Sequence, residues 1–322
     1  MRAVWLREFG EPGVLTIGEA PDPVAGPGQV VVDVEFANIT FVETQFRASG
    51  TGPFTGTLPM VPGNGVGGFV AAVGPDGPAD LLGARVITST GGSGGYAERV
   101  AVDAAALFQV PGEVPLDVAV ALLADGRTAT MMTCAAALRA GDRVLVEAAA
   151  GGVGSLIVQL AKAAGARVVA AAGGARKTAV ATELGADVAV DYTDEGWQKR
   201  VRDTVGAVDV VFDGVGGDIG RASFGLLDRS GRMVSFGLAS GTWTAVSEDE
   251  AAERGVTLVR PSATPADLRA YTESALAEAA AGRLRPVIGQ RFPLANAADA
   301  HAAIQSRATI GKTLLETRPV RS

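Results

Sequence analysis

One cysteine, Cys134, and one histidine, His301, are all that the 322 residues provide of the two side chains most used to hold transition metals. A structural zinc site needs four Cys or Cys/His ligands, and a catalytic one usually draws three from Cys, His and carboxylate, so neither assembles in the usual way and no metal site is expected. The same scarcity removes a Cys/His dyad. A Ser/His/Asp triad would have to use His301, which sits in the amphipathic helical pattern of residues 297–304 and reads as structural. Cys134 reads as a small buried hydrophobe. No run of about 20 apolar residues is present to span a bilayer, so no membrane partner is expected. The start MRAVWLREFG lacks the basic region, apolar stretch and cleavage site of a secretory leader, which makes a cytoplasmic location the expectation. A net charge of −7 offers no basic excess for nucleic acid.

What the chain does have is glycine in an informative place. The apolar run Arg143 to Val146 leads through Glu147-Ala148-Ala149-Ala150-Gly151-Gly152-Val153-Gly154 into the helical pattern Ser155 to Ala164. Strand, glycine turn and helix in that order form the usual seat of a dinucleotide pyrophosphate. Gly151 and Gly154 fill the second and third glycine positions of GxGxxG, and Ala149 replaces the first. The helix start supplies N–H groups and the positive dipole end. Further alternation follows, with strands at 166–172, 188–190, 208–212 and 232–236 and a helix at 177–184, as a Rossmann half requires.

The first third is β-rich, with runs at 3–6, 15–19, 30–36, 68–73, 85–88, 96–100 and 107–110 separated by Gly and Pro clusters. After residue 260 come a helix at 265–281, a strand near 287–292, the helix holding His301, and a last strand at 312–316. These two late strands complete the first domain most simply. The expected fold is therefore α/β, with a β-rich, barrel-like domain over 1–118 and 263–322 and an inserted doubly wound parallel-sheet domain over 119–262.

Several segments, in order and spacing, resemble the zinc-independent medium-chain dehydrogenases/reductases of the quinone oxidoreductase (zeta-crystallin-like) group. They are Pro27 to Val32, Phe41-Val42-Glu43-Thr44, Pro62-Gly63-Asn64, Gly95 to Glu98, Ala148 to Gly154 with Gln159 to Lys162, Leu184 to Asp187, Asp213-Gly214-Val215-Gly216, and Ser306 to Thr309 with Gly311-Lys312. The resemblance implies a GroES-like catalytic domain embracing a Rossmann NADPH-binding domain, with the cofactor in the cleft between them and a homodimer formed through the Rossmann domains.

The nicotinamide cofactor is read at the end of the second Rossmann strand, where NAD-specific folds place Asp or Glu for the ribose 2′-hydroxyl. Here Ala172-Gly173-Gly174-Ala175-Arg176-Lys177 has no carboxylate and two cations, which suits the 2′-phosphate of NADPH. The other reading is a solvated helix start. The small Gly173 and Gly174 open backbone N–H groups to the phosphate, although Gly174 replaces a Ser common in relatives. The resemblance places Lys177 and Tyr192 at the 2′-phosphate, Thr128 near the nicotinamide and Val153 under its ring. Ala150, Gly151, Gly152 and Gly154 of the turn, together with Val215 and Gly311 of the matching segments, complete its expected contacts. Phe236 and Gly237 end a strand at the edge where open parallel sheets bind ligands. Arg260 and Arg307 either meet phosphate charge or are ordinary surface cations.

With no metal ligands, the available chemistry is direct hydride transfer to an electron-poor carbon. The acceptor must sit within about 3 to 3.5 Å of the nicotinamide C4, with its oxygen stabilised as negative charge develops. A quinone or an α,β-unsaturated carbonyl meets that need. Relatives carry Asn, facing nicotinamide and substrate, where this chain has Thr40, whose hydroxyl either polarises the acceptor or caps a helix. Phe46 and Phe54 stand near positions where relatives have Tyr, and read as an aromatic pocket or as core. Relatives also have an acidic residue at Gly65, and apolar or amide residues at Asp125 and Arg127, which either pair or touch substrate. No proton donor is evident, so solvent is expected to supply the proton. A biosynthetic enoyl reductase or reductive cyclase fits the same residues. A non-catalytic NADPH-binding sensor accounts for the sparse polar inventory, and a zinc alcohol dehydrogenase is disfavoured by the ligand count.

Overall fold

A computed structural model describes residues 1–317. The chain begins with β1 (Arg2–Leu6), β2 (Leu15–Glu19), β3 (Gln29–Ile39), α1 (Phe41–Ser49), β4 (Gly65–Val73), β5 (Arg85–Ser89), β6 (Arg99–Asp103), β7 (Phe108–Gln109) and α2 (Leu116–Ala136). Strand and helix then alternate through β8 (Arg143–Glu147), α3 (Gly152–Ala163), β9 (Arg167–Ala172), α4 (Ala175–Glu183), β10 (Val188–Asp191), α5 (Trp197–Val205), β11 (Val208–Asp213), α6 (Gly217–Phe224), β12 (Leu227–Ser235), α7 (Glu248–Glu253), β13 (Thr257–Val259) and α8 (Pro265–Ala280). Last come β14 (Ile288–Pro293), α9 (Ala297–Gln305) and β15 (Lys312–Glu316). Two compact units result: Met1–Ala124 with the segment from Leu276 onward, and Asp125–Ala275, the divisions falling inside α2 and α8.

The first unit is built around β3. One edge of this strand pairs antiparallel with β4; on the other, β6 pairs with Gln29 to Asp33 and β15 takes over from Phe36 to Ile39. Its sequence QVVVDVEFANI puts Val30, Val32 and Val34 on one face, and all three are buried with Val66, Val70, Val86 and Leu315. The late strands do return to this sheet. They pair parallel to each other with α9 as their crossover, a connection that a parallel pair requires.

Two sequence expectations shift here. The strand expected from Tyr96 begins at Arg99, because Tyr96 is buried with its hydroxyl in polar contacts and Ala97 makes only an isolated bridge to Ala3. Cys134 is exposed on α2 rather than buried.

The second unit is a parallel sheet in the order β10-β9-β8-β11-β12-β13. Numbered from β8, that is 3-2-1-4-5-6, the doubly wound Rossmann order, with its switch point between β8 and β11. Its strands carry near-continuous apolar runs because both faces are covered, and Leu145, Val169, Val211 and Met233 pack with Trp197, Val201 and Phe224 from the helices. Each such side chain contributes roughly 1.5–3 kcal/mol by leaving water. At the amino edge, Arg143 binds both carboxylate oxygens of Asp209, at 2.7 and 2.9 Å, and reaches Asp228, tying three strands together. The strand expected over residues 232–236 starts earlier, at Leu227. The polar stretch Asp228-Arg229-Ser230, with Ser230 at φ 65°, hides its beginning in the sequence. No helix among the described residues is long and apolar enough to cross a membrane.

Candidate active site

In the second unit, β8 ends at Glu147 and the chain reverses through Ala148 at φ 47° before α3 begins at Gly152. A Cβ on Gly154 would lie 2.3 Å from the Ala148 carbonyl oxygen, so this position must be glycine for the helix to sit on the turn, as the third glycine of the motif demands. Gly151 holds extended backbone and its carbonyl accepts the Ser155 N–H. On Gly152 a Cβ would meet the Asp125 carboxylate at 2.0 Å. Asp125 is thus buried against the turn, in close contact with the start of α3. Arg127 is half-buried, and burial pulls its pKa down. Thr128, one position on, is half-buried on α2.

At the switch point two buried acids meet. The Asp213 carboxylate, ending β11, accepts from the Gly216 N–H (2.7 Å) and from the Ser235 and Thr244 hydroxyls (2.8 and 2.7 Å). Glu147 accepts the Val215 N–H at 3.1 Å, and burial, then the facing Asp213, push its carboxyl well above the usual range. A glutamate raised in the fold stabilises it below the unfolded pKa and loses that contribution as pH climbs through the folded value. Glu147→Gln is therefore expected to gain stability over wild type progressively as pH rises above the ordinary glutamate range, and none below it. Urea denaturation across pH measures this, and a gain confined to acid pH would contradict it.

At the second strand's end, Ala172 leads into Gly173, Gly174 and the first turn of α4, where Arg176 is exposed and Lys177 half-buried. The strand and its turn contribute no carboxylate of their own, and the Tyr192 ring lies beside Gly173, 3.2 Å from where a Cβ would be. One expectation is corrected: the Gly174 N–H is not open to a phosphate, because it donates to Asp191 at 2.8 Å. Asp191 also accepts from the Thr193 N–H and hydroxyl, and these bonds hold its pKa below the usual aspartate range against the opposing effect of desolvation. The sequence reading missed Asp191. Its signal was available as the acid directly before Tyr192.

Phe236 and Gly237 follow β12, and both press on Gly214. Ala150 to Gly154, Gly173, Gly174, Tyr192, Val215, Phe236 and Gly237 thus share the carboxyl edge of one sheet. Arg260 lies past the end of β13, exposed, with its guanidinium on Glu248 at 2.6 Å.

In the first unit, Thr40 precedes α1 as its N-cap. Glu43 reaches back to it, accepting the Thr40 N–H at 2.6 Å and its hydroxyl at 2.7 Å. Phe46 is in the core, edge-on to Phe9 and Phe54 with ring centroids 5.6 and 6.0 Å away. Phe54 is half-buried, its ring against Gly92. Gly65 has a packing reason: a Cβ there would meet the Asn38 amide at 2.5 Å, and that amide donates to the Val120 carbonyl. Arg307 is exposed after α9, and Gly311 lies in the bend before β15. His301 is buried, its Nε2 3.0 Å from the Tyr96 hydroxyl, and burial with the nearby Arg47 charge pushes its pKa down to about 3. Among the described residues, no three His, Cys, Asp or Glu side chains converge on one point.

A doubly wound sheet with a glycine turn at its switch edge, carried in one chain with a GroES-like β unit, defines a two-domain dehydrogenase. The family model described as alcohol dehydrogenase GroES-like domain matches residues 26–112, and the one described as zinc-binding dehydrogenase matches 152–277. A probable quinone oxidoreductase of Schizosaccharomyces pombe is 36% identical over 97% of this chain and 96% of its own length. The quinone oxidoreductase of Homo sapiens is 31% identical over 98% and 97%. The Escherichia coli quinone oxidoreductase solved with NADPH superposes with a TM-score of 0.87 at 28% identity, over 98% of this chain and 100% of that one. A mycobacterial protein solved with NADPH gives 0.88 at 34%, over 98% and 99%. The chain belongs to the quinone oxidoreductase group of the medium-chain dehydrogenases/reductases.

Proposed function

We propose that this protein is an NADPH-dependent oxidoreductase that reduces a quinone or an α,β-unsaturated carbonyl without zinc. The observation that carries the reading is the carboxyl edge of the parallel sheet. There a turn without room for a side chain at Gly154 opens α3, and a second strand that contributes no carboxylate of its own is followed by Arg176 and Lys177. These residues fit NADPH: Ala150 to Gly154 and the α3 start would hold the pyrophosphate, and Lys177, Arg176 and Tyr192 the 2′-phosphate. Val153, Thr128, Val215, Phe236 and Gly237 would seat the nicotinamide half, and two relatives were solved with the same cofactor. When bound, NADPH supplies a hydride from its dihydronicotinamide ring. Arg260, whose charge is engaged by Glu248, and the exposed Arg307 with Gly311 are further candidates for phosphate contact.

The chain's own part is to orient the acceptor and to meet the charge that develops on its oxygen. Thr40 is the residue we assign to that contact, and the apolar Phe54 shapes the acceptor site. An activated acceptor suits this inventory, because a single Cys and a single His leave no zinc ligand set to polarise an ordinary ketone. Chelator-treated protein is expected to consume NADPH with small quinones or conjugated enones and not with saturated ketones. Turnover confined to saturated ketones, or restored only by added zinc, would overturn the assignment.

A further inference from the structure

We propose that Glu43 is a positioning residue that holds the proton for the reduction and passes it to the acceptor through the Thr40 hydroxyl. This rests on the reductase reading above, in which Thr40 meets the acceptor. Sequence alone shows no proton donor, but folding assembles one. Glu43, on the first turn of α1, is only 5% exposed. Its Oε2 lies 2.7 Å from the Thr40 hydroxyl and 2.6 Å from the Thr40 backbone nitrogen. Its Oε1 accepts the Asn64 N–H at 3.0 Å and faces the Tyr96 hydroxyl at 3.3 Å. The Tyr96 hydroxyl in turn meets the buried His301 at Nε2. Thr40, by contrast, is partly exposed. The result is a buried acid with one hydroxyl leading outward.

The groups facing Glu43 act in opposite directions. Burial raises its pKa and is the largest influence; the Thr40 and Asn64 donors and the buried Lys312 charge lower it, and the balance lies above the ordinary value. A protonated population therefore persists nearer neutral pH than for a solvated glutamate. His301 stays neutral, and in its Nε2–H tautomer it donates to Tyr96, which leaves the Tyr96 hydroxyl hydrogen for Glu43.

The geometry gives Thr40 two states. When Glu43 is ionised, the Thr40 hydroxyl donates inward to the carboxylate. When Glu43 is protonated, its O–H can donate to Thr40 Oγ1, which frees the Thr40 hydrogen for the acceptor. With the hydride that bound NADPH would supply adding its two electrons to the acceptor carbon, a carbonyl π pair would move onto the acceptor oxygen. The Thr40 O–H proton bonds to that oxygen while the Glu43 O–H proton bonds to Thr40 Oγ1. One proton reaches the product, Thr40 is regenerated, and Glu43 is left as a carboxylate held by the Thr40 N–H, the Asn64 N–H and Tyr96. Water returns the proton.

The test compares wild type, Glu43→Gln, Thr40→Val, Thr40→Ser and the Glu43→Gln/Thr40→Val double variant by infrared titration and by turnover across pH. A protonated-carboxyl band that titrates in wild type, disappears in Glu43→Gln and shifts in Thr40→Val is expected. Glu43→Gln and Thr40→Val should each lower kcat by roughly 100-fold with little change in the KM for NADPH, and the double variant should be no slower than the worse single. Wild-type kcat should fall as pH rises through the Glu43 pKa, that dependence should vanish in Glu43→Gln, and Thr40→Ser should keep the rate. Unchanged rate and pH profile in Glu43→Gln, multiplicative losses in the double variant, or no such band would overturn the proposal. The Thr40 variants leave Glu43 in place, so the test survives misfolding of Glu43→Gln. The infrared arm needs no acceptor, so it decides the proton-sharing pair by itself even if wild type reduced nothing, a result that would instead sink the reductase reading.

Discussion

Gly154→Ala is expected to weaken NADPH and NADH binding alike by at least about 100-fold, since both share the pyrophosphate, and to cost roughly 1–3 kcal/mol of stability from overpacking. The added Cβ would stand 2.3 Å from the Ala148 carbonyl oxygen, 2.9 Å from its carbon and 3.1 Å from the Ala149 Cα. All three are backbone atoms of the turn itself, so no side-chain rotation relieves the clash. Either α3 moves outward or the turn opens, and both displace the N–H groups that face a phosphate at a helix start. Buried Leu156, Ile157 and Val158 anchor α3 on the sheet and resist the first, which directs the distortion into the turn. Cofactor titration by fluorescence, with urea denaturation in parallel, reads both consequences. Affinity within a few-fold of wild type would mean that the pyrophosphate is bound elsewhere.

Lys177→Ala is expected to separate the two cofactors. A charge-assisted hydrogen bond to a phosphate contributes about 1.5–3 kcal/mol, so NADPH affinity should fall roughly 10- to 150-fold while NADH affinity stays within error. The loss should shrink at high salt, because Lys177 is half-buried and its field partly screened. Asp191 sharpens the contrast. Its carboxylate already takes the Gly174 N–H, so a 2′-phosphate bound at this strand end would lose one backbone donor and depend more on the two cations. Equal losses for NADH and NADPH would show that Lys177 acts on the fold rather than on the 2′-phosphate.

The parallel sheet was legible because its strands are covered on both faces and therefore read as apolar runs bounded by glycine. The glycine turn was legible because its requirement is local: Gly154 and Ala148 are six residues apart. Sites made by strand order were not. Glu147 and Asp213 end strands distant in sequence and meet only because β11 lies beside β8, and Asp191 reaches Gly174 only because β10 lies beside β9. In the same way, Thr40 and Glu43 carry a capping pattern visible in the chain, whereas Tyr96 and His301 join them from β-loop and helix segments far along it. Thr40 had two readings in the sequence, and its hydroxyl bond to Glu43 shows how one residue serves as cap while remaining next to a buried acid. Phe46 belongs to the core for a similar reason: its partner Phe9 comes from the first turn of the chain, which periodicity along α1 does not reveal.

The most direct measurement is the steady-state kcat/KM for NADPH and NADH, side by side, with chelator-treated wild-type protein and a quinone or enone that it turns over. A preference for NADPH of about 100-fold or more, with no dependence on added zinc, is the expected result for a 2′-phosphate met by Arg176 and Lys177. Equal or better use of NADH, or activity that appears only with zinc, would contradict the assignment of this protein as a zinc-independent NADPH reductase.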